Sequence, residues 1–383
     1  MAKKIRYFLS TLFLLILVSG CSIAVTAPPT LTPSQKISPT QAAVIIPTET
    51  STSAITPTST ITLTPTPTEI VFEVGKELTI EYLREQEFTG SEITFEQKLA
   101  DRSNYYQYLA SYISEGNKIY GLLTIPFGDP PEGGFKAIVF NHGYIPPDVY
   151  RTTERYAAYV DYLARSGFVV FKIDYRGHGS SEGEPQGSYF SPGYTIDAIN
   201  ALKSLQRLDI IDPDGIGMWG HSMAGNVTLR AMLVEPDIKA GVIWAGAVYS
   251  YDDFSAYGID DKSYRPPATP EPQAGVDTRR PSEVIFDTYG RPNTQEPYWK
   301  AVSLTEKIDF LTSPLQIHHA EDDTVVSINY SFGLASVLRD HGKQYEFYTY
   351  EMGGHNLISP AFGLAMSRTV EFFREYLGIP EGN

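Results

Sequence analysis

The sequence has one cysteine, Cys21, among 383 residues, so no disulfide can form within the chain. It is also short of positive charge. Thirty Lys and Arg face 45 Asp and Glu, a formal net charge of −15. A nucleic-acid partner needs a basic face, and that class is set aside. A long apolar run is missing too: the one uninterrupted candidate, Tyr7–Val18, is short for a membrane span. The histidines do not carry the spacing of a zinc enzyme, so no metal or organic cofactor is expected. Core-forming residues are plentiful, with 42% hydrophobic and 13% aromatic content. The length suits one large domain or two small ones.

Residues 1–21 read as a secretory signal. Lys3, Lys4 and Arg6 precede the apolar run, and small residues follow it. The run closes on Val18-Ser19-Gly20-Cys21, which resembles the lipobox of bacterial lipoproteins. That resemblance implies cleavage before Cys21, lipid on Cys21, and an extracytoplasmic, membrane-anchored protein. Residues 22–70 are rich in Thr, Pro and Ser and nearly free of charge. Such a segment buries too little to offset its ordering entropy and is expected to be a disordered linker. At about 3 Å per residue it can reach roughly 100 Å or more.

Residues 71–383 have the patterning of one α/β domain. Leu78–Phe88 reads as a short helix. Ser91–Leu99, Tyr105–Ile113 and Ile119–Ile125 read as strands joined by tight connections, an antiparallel opening. Strands and helices then alternate. The strands are Ala137–Phe140, Phe168–Ile173, Ile216–Trp219, Ala240–Ala247, Leu315–His318 and Tyr345–Tyr350. The helices are Thr152–Arg165, Tyr194–Leu208, Met223–Val234, Ile328–Arg339 and Phe362–Leu377. This order predicts a mostly parallel, doubly wound sheet with ligands at the carboxyl ends of its strands. The alternation breaks at about residues 253–296, a lid-like insertion, after which Pro297–Val302 reads as a short helix.

One stretch carries chemistry. In Gly220-His221-Ser222-Met223-Ala224-Gly225 a serine sits between strand and helix, flanked by residues with little or no side chain. This is the pattern of a nucleophile elbow. A serine hydroxyl needs a base, and the base needs an orienting carboxylate. His355, in Met352-Gly353-Gly354-His355, follows the last strand and precedes the last helix, where two glycines let the loop bend back over the sheet. The acid is expected at the end of the preceding strand, in Glu321-Asp322-Asp323, and Asp322 is the choice made here. Asp252 or Asp253 is an outside candidate.

Five strings together resemble α/β-hydrolases of the prolyl-oligopeptidase and dienelactone-hydrolase-like branch, over most of residues 104–378. They are Asn141-His142-Gly143-Tyr144, Asp174–Ser181, the elbow, His318–Val326 and Gly353-Gly354-His355. The resemblance implies an α/β-hydrolase fold and a Ser222, Asp322, His355 triad, because the family pattern H-G-x-x-D-x-x-V aligns with His318, Asp322 and Val325. It also implies an oxyanion hole from the backbone N–H groups of Met223 and Tyr144. Asp174–Ser181 is read as structural, with Arg176 pairing Asp174. His142, His178 and His221 are read as satisfied residues around the site, and His341 as a helix cap.

The expected function is hydrolysis of a small carboxylic ester, amide or peptide through an acyl-enzyme. Residues 71–130 are too few for the propeller that accompanies many peptide-cleaving relatives, which favours esters and small amides. A prolyl-oligopeptidase-like peptidase acting on small peptides is the alternative. A non-catalytic, substrate-binding lipoprotein is a third reading.

Overall fold

A computed structural model describes residues 72–259, 279–293 and 295–379. The signal, the linker and Cys21 lie outside the described residues, as do residues 260–278 and 294 of the expected insertion. Nine strands form one sheet: β1 Thr94–Lys98, β2 Tyr105–Ser114, β3 Asn117–Pro126, β4 Phe135–Asn141, β5 Val169–Ile173, β6 Ile211–His221, β7 Gly241–Trp244, β8 Leu315–Ala320 and β9 Tyr345–Tyr350. The helices are α1 Ile80–Arg84, α2 Ala157–Arg165, α3 Gly193–Leu205, α4 Met223–Val234, α5 Tyr251–Tyr257, α6 Pro281–Tyr289, α7 Pro297–Val302, α8 Asn329–Asp340 and α9 Ala361–Leu377.

The strand order is β1-β2-β3-β5-β4-β6-β7-β8-β9. The first three strands pair antiparallel, and β3 meets β5 antiparallel. From β5 onward every pairing is parallel. The predicted fold class is thus the observed one.

Parallel strands covered on both faces need apolar residues at every position, and their period of two deals those residues to two layers. Ala137, Val139, Phe171 and Met218 join one core with α3, α4 and α8. Ile138, Phe140, Val170 and Trp219 join a second core with α2 and α9.

Several boundaries differ from expectation. The strand expected over Ala240–Ala247 stops at Trp244, because Ala245 and Val248 take positive φ values of 47° and 60°. The helix expected from Thr152 starts only at Ala157. Residues 152–156 instead form a turn fastened to the sheet from below: the Lys172 ammonium, on β5, donates to Arg155 O (3.0 Å), and Thr152 Oγ1 donates to Asp174. The helix expected over Leu78–Phe88 is a 3-10 turn, Lys76–Leu78, followed by α1. Helices α5 and α6 were not foreseen within the insertion.

Candidate active site

The site begins with the approach of β6 to α4. A side chain at residue 220 would bring its Cβ within 2.3 Å of Thr228 Oγ1 and 2.4 Å of Ala224 O. At residue 225 the Cβ would meet Gly246 Cα at 2.6 Å. Glycine at 220 lets β6 and α4 close on each other, glycine at 225 lets α4 meet the chain after β7, and the reversal falls on Ser222. Its backbone has φ 57° and ψ −122°, a region that L-residues rarely occupy and that persists only where surrounding structure imposes it. Two hydrogen bonds do so: Ser222 N–H to Trp244 O (2.9 Å), and Gly225 N–H to Ser222 O (2.8 Å). Ser222 Oγ makes no capping bond to α4. It lies 2.9 Å from His355 Nε2.

His355 Nδ1 lies 2.8 Å from Asp323 Oδ2, not from Asp322. The expected triad therefore changes by one residue. Asp323 has a fully buried side chain. Its Oδ2 also accepts from His319 Nε2 (3.1 Å), while Oδ1 accepts from the amides of Val325 (2.8 Å) and Val326 (3.0 Å). Burial alone would push this carboxyl's pKa up. The bonds from His319 and His355, the His355 charge and the Val326 amide outweigh that and hold it well below the usual carboxylate range. A carboxylate can only accept, so the His355 proton sits on Nδ1 and its Nε2 lone pair faces the serine.

Asp322 is exposed and has a different task. Its carboxylate accepts the amides of Gly354 (2.7 Å) and Gly353 (3.3 Å), gripping the backbone of the loop that bears His355. The reason is strand alternation. His318 and His319 are neighbours on β8 and point to opposite faces. His318 bonds to Gln316 and Tyr350, whereas His319 faces Ser331 of α8 and Asp323. Aligning the family pattern on His318 therefore started from the wrong face. The same spacing one residue later reads His319-Ala320-Glu321-Asp322-Asp323-Thr324-Val325-Val326, with a small residue in the glycine position. That register was the available signal. Asp252 and Asp253 lie in the first turn of α5 and are not partners of His355.

His221 is the second feature that sequence reading placed only in outline. Its Nε2 is 2.8 Å from His355 O and its Nδ1 is 2.7 Å from Tyr156 Oη. The carbonyl can only accept, so Nε2 carries the proton and Nδ1 accepts the Tyr156 hydroxyl proton. Tyr156 Oη in turn accepts Gly143 N–H (2.9 Å). One chain of hydrogen bonds thus ties the loop after β4 to the elbow and to the loop after β9. Burial, then the nearby His355, lowers the His221 pKa to about 3, which keeps this ring neutral.

Tyr144, Met223, Ser222 and His355 line one cleft of about 990 Å³. The Met223 N–H is at the first helical position, where an α-helix leaves its amides without intrahelical partners. Its lining also includes Tyr189, Phe190, Phe254 and Ile259. Arg176 does not pair Asp174 as expected. It makes a buried bidentate bond to Asp197 (2.7 Å at the closest) and an ion pair with Glu115. Asp174 instead accepts from Tyr150 and Thr152. His142 and His178 are buried behind the cleft, packed on Tyr150.

Fold and site together define the class: the chain is an enzyme with the α/β-hydrolase fold. Within it, residues 135–262 match the family model described as serine aminopeptidase, S33. That stretch includes Ser222 but neither Asp323 nor His355. The chain is 28% identical to human protein ABHD12B over 212 residues, 54% of this chain and 51% of that protein, and so spans about half its length. It is 24% identical to the uncharacterized peptidase YtmA of Bacillus subtilis (strain 168) over 260 residues, 65% of this chain and 85% of that one. In fold it is similar to an acetyl xylan esterase from Paenibacillus sp. R4, with a TM-score of 0.54 and 18% identity, covering 76% and 91% of the two chains.

The depressed His221 pKa predicts a pH dependence of stability. In the unfolded chain a histidine titrates near 6.5. Between there and about 3 the unfolded state binds a proton that the folded state refuses, so the His221 contribution is present above 6.5 and is lost as pH falls. Urea midpoints measured at pH 7 and pH 5 should fall less in His221→Gln than in the wild type; equal falls would refute the assignment.

Proposed function

We propose that the protein is a serine hydrolase that cleaves a carboxylic ester or amide through an acyl-enzyme. The observation that carries this is the continuous alignment of Ser222 Oγ, His355 Nε2, His355 Nδ1 and Asp323 Oδ2, with contacts of 2.9 and 2.8 Å. In this reading His355 Nε2 takes the hydroxyl proton as Ser222 Oγ bonds to the substrate carbonyl carbon. The oxygen gains negative charge, and the backbone N–H groups of Met223 and Tyr144 stabilise it. The carbonyl reforms, the bond to the leaving group breaks, and His355 returns the proton to that group. Water then attacks the acyl-enzyme, with His355 again taking and returning a proton, and Ser222 is restored. Asp323 keeps the proton on Nδ1 throughout. The assembled geometry favours catalysis over the binding-only reading.

Esters and small amides are the first substrate class, since the strands ahead of β4 form part of the same sheet rather than a separate propeller. A peptidase is the second reading, favoured by the match to the serine aminopeptidase model and by the likeness to YtmA. Short acyl esters and Pro-containing dipeptide substrates, assayed side by side, should show the ester turned over faster; turnover of peptide alone would reverse the order. A fluorophosphonate probe should label the wild type and not Ser222→Ala.

The two neighbouring aspartates should separate cleanly. Asp323→Asn is expected to lower kcat roughly 10³- to 10⁴-fold, because an amide favours the wrong His355 tautomer. Asp322→Asn removes a backbone grip rather than a proton partner, and should lower kcat far less. Steady-state rates of the two variants check the assignment, and a larger loss in Asp322→Asn would reverse it.

For location, we propose that the protein is extracytoplasmic and lipid-anchored through Cys21, with residues 22–70 as a spacer. The support is the charged start, apolar run and Val18-Ser19-Gly20-Cys21 string. Metabolic labelling with a fatty-acid analogue should be lost in Cys21→Ser, and a label retained there would exclude the anchor.

A further inference from the structure

The cleft has a charge pattern that the proton chemistry does not use. Among the described residues that line it, one side chain is permanently charged, Arg155, and none is an aspartate or glutamate. Arg155 is exposed. No carboxylate lies within ion-pairing distance of its guanidinium among the described residues, whereas Arg176, Arg207 and Arg339 each have one.

Its backbone, by contrast, is fixed. Arg155 O receives the Lys172 ammonium (3.0 Å), and Lys172 is buried in β5. The next residue, Tyr156, is held by Gly143 N–H and by His221, and His221 immediately precedes Ser222. A guanidinium left unpaired on a rigid base, one residue from the network around the nucleophile, is a group available to substrate. The lining also includes Tyr189, Phe190, Phe254 and Ile259, which suit an apolar body.

We propose that Arg155 is a specificity residue and that the natural substrates are esters or amides carrying a carboxylate, bound by its guanidinium, on an otherwise apolar acyl or leaving group. The planar fork of a guanidinium matches two carboxylate oxygens and one negative charge. A dianionic phosphate would leave one charge uncompensated in a chain of net charge −15. The proposal rests on the serine-hydrolase reading of the same cleft.

The test compares p-nitrophenyl hydrogen adipate with p-nitrophenyl hexanoate, acyl groups of equal length that differ in a terminal carboxylate. The readout is the ratio of their kcat/KM values. It should fall roughly fivefold in Arg155→Ala, as for one charge-assisted contact at a partly exposed site, be largely kept in Arg155→Lys, and fall further in Arg155→Glu. Raising the salt concentration should lower the ratio in the wild type, because an exposed pair is screened. A ratio that is the same in all four proteins overturns the proposal, and so does a preference for a phosphate-terminated ester over the adipate. Binding gives an answer without turnover. In Ser222→Ala, monomethyl adipate should bind more tightly than methyl hexanoate in an NMR titration, and the difference should vanish when Arg155→Ala is added. Equal binding of the two also overturns it. Failure of the fluorophosphonate to label the wild type would instead count against the hydrolase reading.

Discussion

A carboxylate taken out of water must replace its solvation with hydrogen bonds, and Asp323 does so with two imidazoles and two amides. Each bond fixes something beyond the carboxylate. The Val325 and Val326 amides shape the turn after β8. His319 carries the contact to α8 through Ser331. His355 is left with one tautomer and one orientation. Remove the carboxylate, and the loops after β8 and β9 lose one of their two side-chain attachments, the other being Asp322. Asp322 complements it from outside, since it holds the peptide backbone of the β9 loop while Asp323 holds the ring.

The second constraint is the tight turn at Ser222. A backbone in so unfavourable a region survives because β6 and α4 are clamped together by glycine contacts and by bonds to β7. The strain is local, and the sheet that bears it is covered on both faces by apolar side chains. A serine whose oxygen is not used to cap its own helix is free to face the histidine.

Much of this was legible in the sequence because the relevant signals are short in range. Buried strands announce themselves as apolar runs, as in Val169–Ile173, and the elbow is defined by six consecutive residues. Ser222 and His355 could be picked out for that reason. The acid could not be fixed as easily. Three carboxylates follow β8, and which of them faces His355 depends on which side of the strand each histidine takes, a one-residue question that a pattern with two acceptable registers leaves open. Tyr156 falls within the helix expected over Thr152–Arg165 but precedes the observed one, and its contact with His221 was not legible because it spans 65 positions and rests on a turn fastened by Lys172 and Thr152. The pairing expected of Arg176 failed similarly. Asp174 is nearer along the chain, but Asp197 on α3 presents both oxygens to the guanidinium.

The cleft is built from two kinds of material. Ser222, Asp323 and His355 stand on turns that leave β6, β8 and β9, where the register of a nine-stranded sheet holds them. Phe254 and Ile259 instead come from the excursion that leaves the sheet after β7, and residues 186–190 from a connection ahead of α3. The described residues of those segments add no strand to the ladder, so their length and composition can drift without shifting a paired residue. Selection can therefore retailor the walls of the cleft while Ser222, His355 and Asp323 stay where they are.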